Sequence, residues 1–141
     1  MTTEEFQSHI AGFNGTEKYT RLGFPFRQHV LTDGALWVAQ NGATWLMTDI
    51  AACHRKIMAH PDQRLQDIQI WELRKNPAKK TNYPYLLECW ADTGEGERPV
   101  HTQKYNTISL PVDEFGLYVC RQPVDDNRAN DLFVIMLKGE Y

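Results

Sequence analysis

Residues 67–74, Asp67-Ile68-Gln69-Ile70-Trp71-Glu72-Leu73-Arg74, are where the hydrophobic pattern of the chain changes period. Ile68, Ile70, Trp71 and Leu73 crowd β-forming residue types into one short stretch, the pattern of a strand. Upstream, Leu46, Ile50, Cys53 and Ile57 recur at three- or four-residue spacing, and Met47, Ala51 and Met58 widen the same stripe. That spacing predicts a helix over residues 43–59, ended by Pro61-Asp62.

Toward the N-terminus the helical pattern continues. Thr2 and Glu5 match a capping box, and Phe6, Ile10 and Phe13 follow at helical spacing, predicting a helix over residues 3–12. Thr32 is placed to cap a second, mostly apolar helix, with Asp33 in its first turn and Asn41-Gly42 at its end. The stretch 14–30, with Gly15, Gly23 and Pro25 among Tyr19, Phe24 and Phe26, reads as a loop with aromatic anchors. Toward the C-terminus, Tyr83–Ala91, Phe115–Arg121 and Leu132–Lys138 read as three further strands. The last is apolar on both faces, which fits a central strand, a helix-covered one, or a sheet edge paired with a second copy of the chain. Helices first and strands after give an α+β expectation: N-terminal helices packed on a four-stranded, mainly antiparallel sheet formed by the C-terminal half, in one domain.

The 141 residues carry 15 Lys+Arg against 18 Asp+Glu, a net charge of −3, and 42% hydrophobic residues. This is a globular composition with no bulk attraction for phosphate backbones or anionic lipid. The acidic start Met1-Thr2-Thr3-Glu4-Glu5 lacks the features of a signal peptide, and the longest apolar run, Leu132–Leu137, is too short to cross a bilayer. Three widely spaced cysteines, Cys53, Cys89 and Cys120, fit buried thiols in a reducing cytoplasm.

Catalytic and cofactor motifs are absent. Cys53 and His54 are adjacent on a predicted helix, so they point about 100° apart and do not ligate one ion. The chain has no C-x-x-C, H-E-x-x-H, G-x-G-x-x-G, Walker-type loop or G-x-S-x-G, and we expect neither metal nor cofactor. Cys89 and Cys120, even with His29 or His101 nearby, sit in apolar runs that keep a thiol protonated. His54 reads as surface or half-buried. Asp33, Asp49, His54 and Glu72 are the candidates for a carboxylate/histidine enzyme site if they share a cleft. Asp49, among Leu46, Met47 and Ile50, also reads as a polar anchor for backbone N–H groups or a tyrosine. Arg74, Lys75, Lys79 and Lys80 beside Trp71 and Tyr83 form the one basic, aromatic cluster suited to single-stranded nucleic acid; the acidic chain speaks against it. Of the four tryptophans, Trp37 falls off its helix stripe and is the best candidate for a partner interface.

Several stretches share an order. They are Phe13-Asn14-Gly15-Thr16-Glu17, Leu31-Thr32-Asp33-Gly34, Trp45-Leu46-Met47-Thr48-Asp49-Ile50, Gln69-Ile70-Trp71-Glu72-Leu73 and the terminal Glu140-Tyr141. Together they resemble an uncharacterised family of small bacterial and phage proteins with F-x-G-T-E, T-D-G, W-L-x-D-x-I and C-terminal E-Y motifs. The resemblance implies an intracellular protein of mobile-element or phage context, and it implies no reaction. The expectation that results is a small cytoplasmic, non-enzymatic protein that binds and modulates another protein, for instance an inhibitor of a host defence system, with a homodimer as a further expectation. Thr32, Asp33, Trp37, Trp45, Asp49, Trp71 and Glu72 are its candidate binding residues.

Overall fold

In a computed structural model that describes residues 1–141, the helix expected at 43–59 runs Thr44–Met58, and the strand at the change of period runs Ile68–Lys75. In chain order the elements are α1 (Thr3–Ile10), β1 (Thr20–Gly23), β2 (Phe26–Leu31), α2 (Asp33–Val38), α3 (Thr44–Met58), α4 (Arg64–Asp67), β3 (Ile68–Lys75), β4 (Tyr85–Trp90), β5 (His101–Tyr105), β6 (Phe115–Gln122) and β7 (Leu132–Leu137). The fold is α+β, as expected, but the sheet has seven strands rather than four, in the order β1-β2-β7-β6-β3-β4-β5. The four expected strands are β3, β4, β6 and β7. The stretch 14–30, expected as a loop, contributes a hairpin of β1 and β2, and β5 was not foreseen. Five of the six strand pairings are antiparallel, whereas β2 runs parallel to β7, with His29 opposite Phe133 and Leu31 opposite Ile135.

That parallel pairing corrects the reading of the last strand. β7 lies inside the sheet, hydrogen-bonded to β2 on one side and β6 on the other. Its doubly apolar sequence reflects this interior position, and a dimer formed by extending the sheet along β7 is ruled out. The free edges are β1 and β5.

The capping chemistry follows the sequence. The Thr2 side chain accepts from the Glu5 N–H to start α1, and Thr32 accepts from the Ala35 N–H to start α2. Between α2 and α3 the backbone leaves the helical region at Asn41 and Gly42. Gly42, with φ +107, takes a conformation that side chains disfavour, so α3 sets off as a separate helix.

Alternation along the strands gives the sheet two unlike faces. On one, Trp71, Leu73, Leu87, Cys89, Leu117 and Ile135 meet Phe6 of α1, Ala35 and Val38 of α2, Leu46, Met47, Ile50 and Ile57 of α3 and Leu65 of α4 in a single apolar cluster. Burying a side chain of this size contributes about 1.5–3 kcal/mol, so this layer dominates stability. Gln69 lies buried within it: its Nε2 donates to the carbonyls of His54 and Leu65, and its Oε1 accepts from Trp71 Nε1–H at 3.2 Å. The other face carries Ile68 and Ile70 of β3, Tyr118 and Cys120 of β6, and Leu132 and Met136 of β7, all half-buried, while Val134 of β7 and its register partner Val30 of β2 are buried there. No helix contributes a core residue to that side. No helix is long and apolar enough to cross a membrane.

Candidate functional site

The residues shared with the resembled pattern converge first at a structural node. Asp33 N–H donates to Thr16 Oγ1 at 2.9 Å, and Glu17 N–H donates to Asp33 Oδ2 at 2.9 Å. Glu140, from the chain end, accepts from Thr32 Oγ1 at 2.6 Å, from Gly34 N–H at 3.1 Å and from Leu137 N–H at 2.9 Å. The F-x-G-T-E, T-D-G and E-Y motifs, far apart in sequence, thus tie the N-terminal segment, the start of α2 and the C-terminus together. Gly34 is required by close approach: a Cβ there would lie 2.6 Å from both Glu140 Oε1 and Leu137 Cδ1. Thr32 and Asp33 are engaged in this clamp; Thr32 is buried and Asp33 half-buried.

Trp45 and Asp49, one helical turn apart on α3, do share a cleft. Its walls include Tyr105 of β5, Thr107, Ile108 and Ser109, and its volume is ≈ 360 Å³. Tyr105 O–H donates to Asp49 Oδ2 at 2.6 Å, so Asp49 is the anchor for a tyrosine. Burial, then the adjacent Asp49 carboxylate, pushes the Tyr105 phenol well above its ordinary range, so it stays a donor. Trp45 Nε1–H donates to Ser109 Oγ at 2.7 Å, and the Ser109 hydroxyl donates to the Gly42 carbonyl. These bonds pin the 106–110 segment across α3. They also engage Asp49 Oδ2 and the Tyr105, Trp45 and Ser109 polar groups in the fold.

The other carboxylate/histidine candidates lie elsewhere. Asp33 is in the node. Glu72 is on the opposite side of the sheet, paired with Lys138. His54, expected at the surface or half-buried, is 1% exposed, because its position on α3 faces the sheet and not solvent. Its Nδ1 is 3.2 Å from Nε2 of the equally buried His29, a pair that no sequence spacing announces. Burial, reinforced by the Arg55 guanidinium, lowers His29 to about 4; burial, then His29 and Arg55, lowers His54 to about 3. Both are therefore neutral at pH 7. Cys53 turns away from His54 toward Gln103 Oε1, and burial pushes up all three thiols, Cys120 to about 11. No thiolate is available as a nucleophile near neutral pH.

The basic, aromatic cluster is also dispersed. Trp71, expected as its stacking platform, is 0% exposed, because it lies on the helix-covered face of β3. Arg74 makes two hydrogen bonds to Glu88, and Lys75 pairs with Asp113. Lys79, Lys80 and Tyr83 remain exposed in the β3–β4 connection. Trp37 does not stand out as an interface residue either. The His9 ring stacks on it at 4.0 Å, and Phe6 and Phe13 flank it, so it fastens α1 to α2.

What remains is the uncovered sheet face. Ile68, Ile70, Tyr118, Cys120, Leu132 and Met136 are all half-buried there. The Glu72–Lys138 and Arg74–Glu88 ion pairs border it on the β3–β4 side. Tyr141, 78% exposed, meets Tyr118 edge-on at 5.4 Å, and Lys138 Nζ sits 5.6 Å from the Tyr118 ring centre. Sequence reasoning reached Glu72 and missed the rest, since the face exists only once β6 and β7 are placed beside β3. No curated protein and no solved structure matches the chain. The model of DUF6876, described as a family of unknown function, matches residues 4–141, and the chain belongs to that family.

Proposed function

We propose that this protein is a small non-enzymatic binding protein that docks another protein through the uncovered face of its sheet. The observation that carries this reading is the asymmetry of the sheet, with helices on one side only. Three adjacent strands, β3, β6 and β7, set Ile68, Ile70, Tyr118, Cys120, Leu132 and Met136 side by side on that face, each half-buried. Apolar side chains that are contiguous at a surface often mark an association site. The occupant is a protein of different sequence that presents an apolar face with charged margins, to meet the Glu72–Lys138 and Arg74–Glu88 borders. Its concrete form, resting on the family resemblance, is a cytoplasmic modulator of a bacterial host protein, such as an inhibitor of a defence system.

The binding reading is favoured over the enzyme reading by the separation of Asp33, Asp49, His54 and Glu72, each of which binds a different partner, with none of the other three in the Asp49 cleft. The test is affinity capture with the unaltered chain, with Met136→Glu and Ile70→Lys on the uncovered face, and with Lys56→Glu on α3. A partner retained by the first and the last but lost by the two face variants supports the reading. A partner lost only with Lys56→Glu contradicts it. A concentration-dependent doubling of mass that the face variants abolish assigns the face to self-association instead.

A further inference from the structure

The cleft between α3 and the β5 edge of the sheet is lined by Trp45, Asp49, Tyr105, Thr107, Ile108 and Ser109. Trp45 Nε1–H donates to Ser109 Oγ, and Tyr105 O–H donates to Asp49 Oδ2, so both rings are held in place by their polar edges. The ring centroids are 5.2 Å apart and the planes are inclined at 58°, which makes the two rings adjoining walls of one corner. The turn at Gly42 holds Ser109 in place: its carbonyl accepts from the Ser109 hydroxyl, and a Cβ on Gly42 would lie 3.1 Å from the Ser109 carbonyl oxygen.

Asp49 supplies a charge to this corner. Its Oδ2 is bonded to Tyr105, while its Oδ1 makes no hydrogen bond within the chain. Unlike Asp131 Oδ1, this oxygen is not buried, so a ligand can reach it. No Lys, Arg or His forms an ion pair with Asp49. The chain's own cation–π contact is made by Lys138 at Tyr118, so the Trp45 and Tyr105 faces hold no internal cation. An uncompensated carboxylate beside two fixed aromatic rings attracts a cation, through its charge and through the negative quadrupole of the ring faces. The kind of cation follows from the hydrogen bonds left to make. Trp45 Nε1, the Tyr105 hydroxyl, Asp49 Oδ2 and Ser109 Oγ are already engaged in the fold. A primary ammonium brings three N–H donors and a guanidinium five, more than Asp49 Oδ1 and the Thr107 hydroxyl can satisfy. A methylated ammonium brings few donors or none, and its apolar surface suits ring faces and the Ile108 side chain.

We propose that this cleft binds a methylated ammonium group, with its charge beside Asp49 Oδ1 and its methyl groups against Trp45, Tyr105 and Ile108. The cleft volume of ≈ 360 Å³ suits a small cation, since small-molecule pockets run from about 300 to 1,000 Å³. Free quaternary amines and methylated lysine side chains both carry such a group, and the chemistry of recognition is the same for both. Tyr105 pairs with Tyr85 in register with the helix-side residues Leu87 and Cys89, so the site lies on the covered side of the sheet, apart from the uncovered face.

The test is a nuclear magnetic resonance titration of the full chain with choline, with a short peptide carrying trimethyl-lysine, and with the neutral isostere of choline in which carbon replaces the charged nitrogen. Saturable shifts centred on the Trp45 indole N–H, Thr107 and Ser109 are expected for at least one of the two cations. The neutral isostere is expected to bind about tenfold or more weakly, since it lacks the charge. Asp49→Asn and Trp45→Leu are each expected to weaken cation binding by about fivefold or more. Asp49→Asn keeps an acceptor for the Tyr105 hydroxyl, so it reads the charge alone, whether or not Trp45→Leu folds. Tighter binding of choline assigns the site to a free amine, and tighter binding of the peptide assigns it to a methylated side chain. The proposal is overturned if neither cation gives saturable shifts at millimolar concentration, if the neutral isostere binds as tightly as the cations do, or if Asp49→Asn binds them as the unaltered chain does.

Discussion

The two faces of the sheet are made by the same strands, one residue out of step, and they do different work. On β3, Trp71 and Leu73 point into the helix-covered cluster, while Ile70 and Glu72 point to the uncovered side. On β6, Leu117 and Val119 are buried, while Tyr118 and Cys120 are half-buried. One face is closed by four helices and fixes the fold; the other is finished only at its border by two ion pairs and the chain end. An apolar surface kept off the core contributes less to stability than the same residues would under a helix, which leaves it free to serve association.

The contrast is broken most severely at Trp71. Trp71→Ala should cost about 3–5 kcal/mol, through lost burial, a residual cavity and a Gln69 Oε1 left with only the weak Cys89 thiol donor. Tyr118→Ala, on the next strand but the other face, should cost about 1 kcal/mol, as half-exposed positions do. Urea unfolding of the two variants reads the difference; equal losses would mean that the faces are energetically alike.

A second prediction probes the covered side by pH. His29 and His54 are neutral in the folded chain, with values lowered to about 4 and about 3 from the ordinary 6.5. The unfolded chain takes up protons below pH 6.5 that the folded chain refuses, so stability is whole above that pH and falls as the pH drops toward 4. Each such proton tilts stability by about 1.4 kcal/mol per pH unit. The urea midpoint should therefore decline between pH 6.5 and pH 4, and His29→Gln should flatten the decline. A midpoint constant over that window would show that the imidazoles are solvated.

Smaller effects sharpen the picture at the margins. Glu140→Ala strands the Gly34 and Leu137 N–H groups and should cost about 1–3 kcal/mol, loosening the chain end that reaches Tyr118. Hydrogen exchange at the start of α2 measures this directly. Tyr105→Phe removes one hydrogen bond to Asp49 and should cost about 1 kcal/mol in thermal unfolding, with the cleft otherwise unchanged.

Local signals in the chain were legible and long-range ones were not. The caps at Thr2 and Thr32, the α3 stripe and the four most apolar strands can all be read because each rests on neighbours within one element. Asp49 was readable as a tyrosine anchor because a carboxylate within an apolar stripe needs a donor. The β1–β2 hairpin was hidden by Gly23 and Pro25, which read as breakers, and β5, His101-Thr102-Gln103-Lys104-Tyr105, has too little apolar alternation to be noticed. The parallel β2–β7 pairing, the His29–His54 contact and the convergence of Thr16, Thr32 and Glu140 depend on residues brought together from distant parts of the chain. Trp37 and Trp71 are likewise packed by residues distant in sequence, His9 for the one and the helix-side cluster for the other, which single-residue reasoning does not supply.

The most direct test of the docking face is a photo-crosslinking amino acid placed at Tyr118 and, separately, at Lys56 on α3, in cells that carry the gene. Tyr118 should give one discrete adduct with a protein of different sequence, and Lys56 should give none. An adduct from Lys56 alone, or a Tyr118 adduct that is a second copy of this chain, would contradict the assignment of the uncovered face to a foreign protein partner.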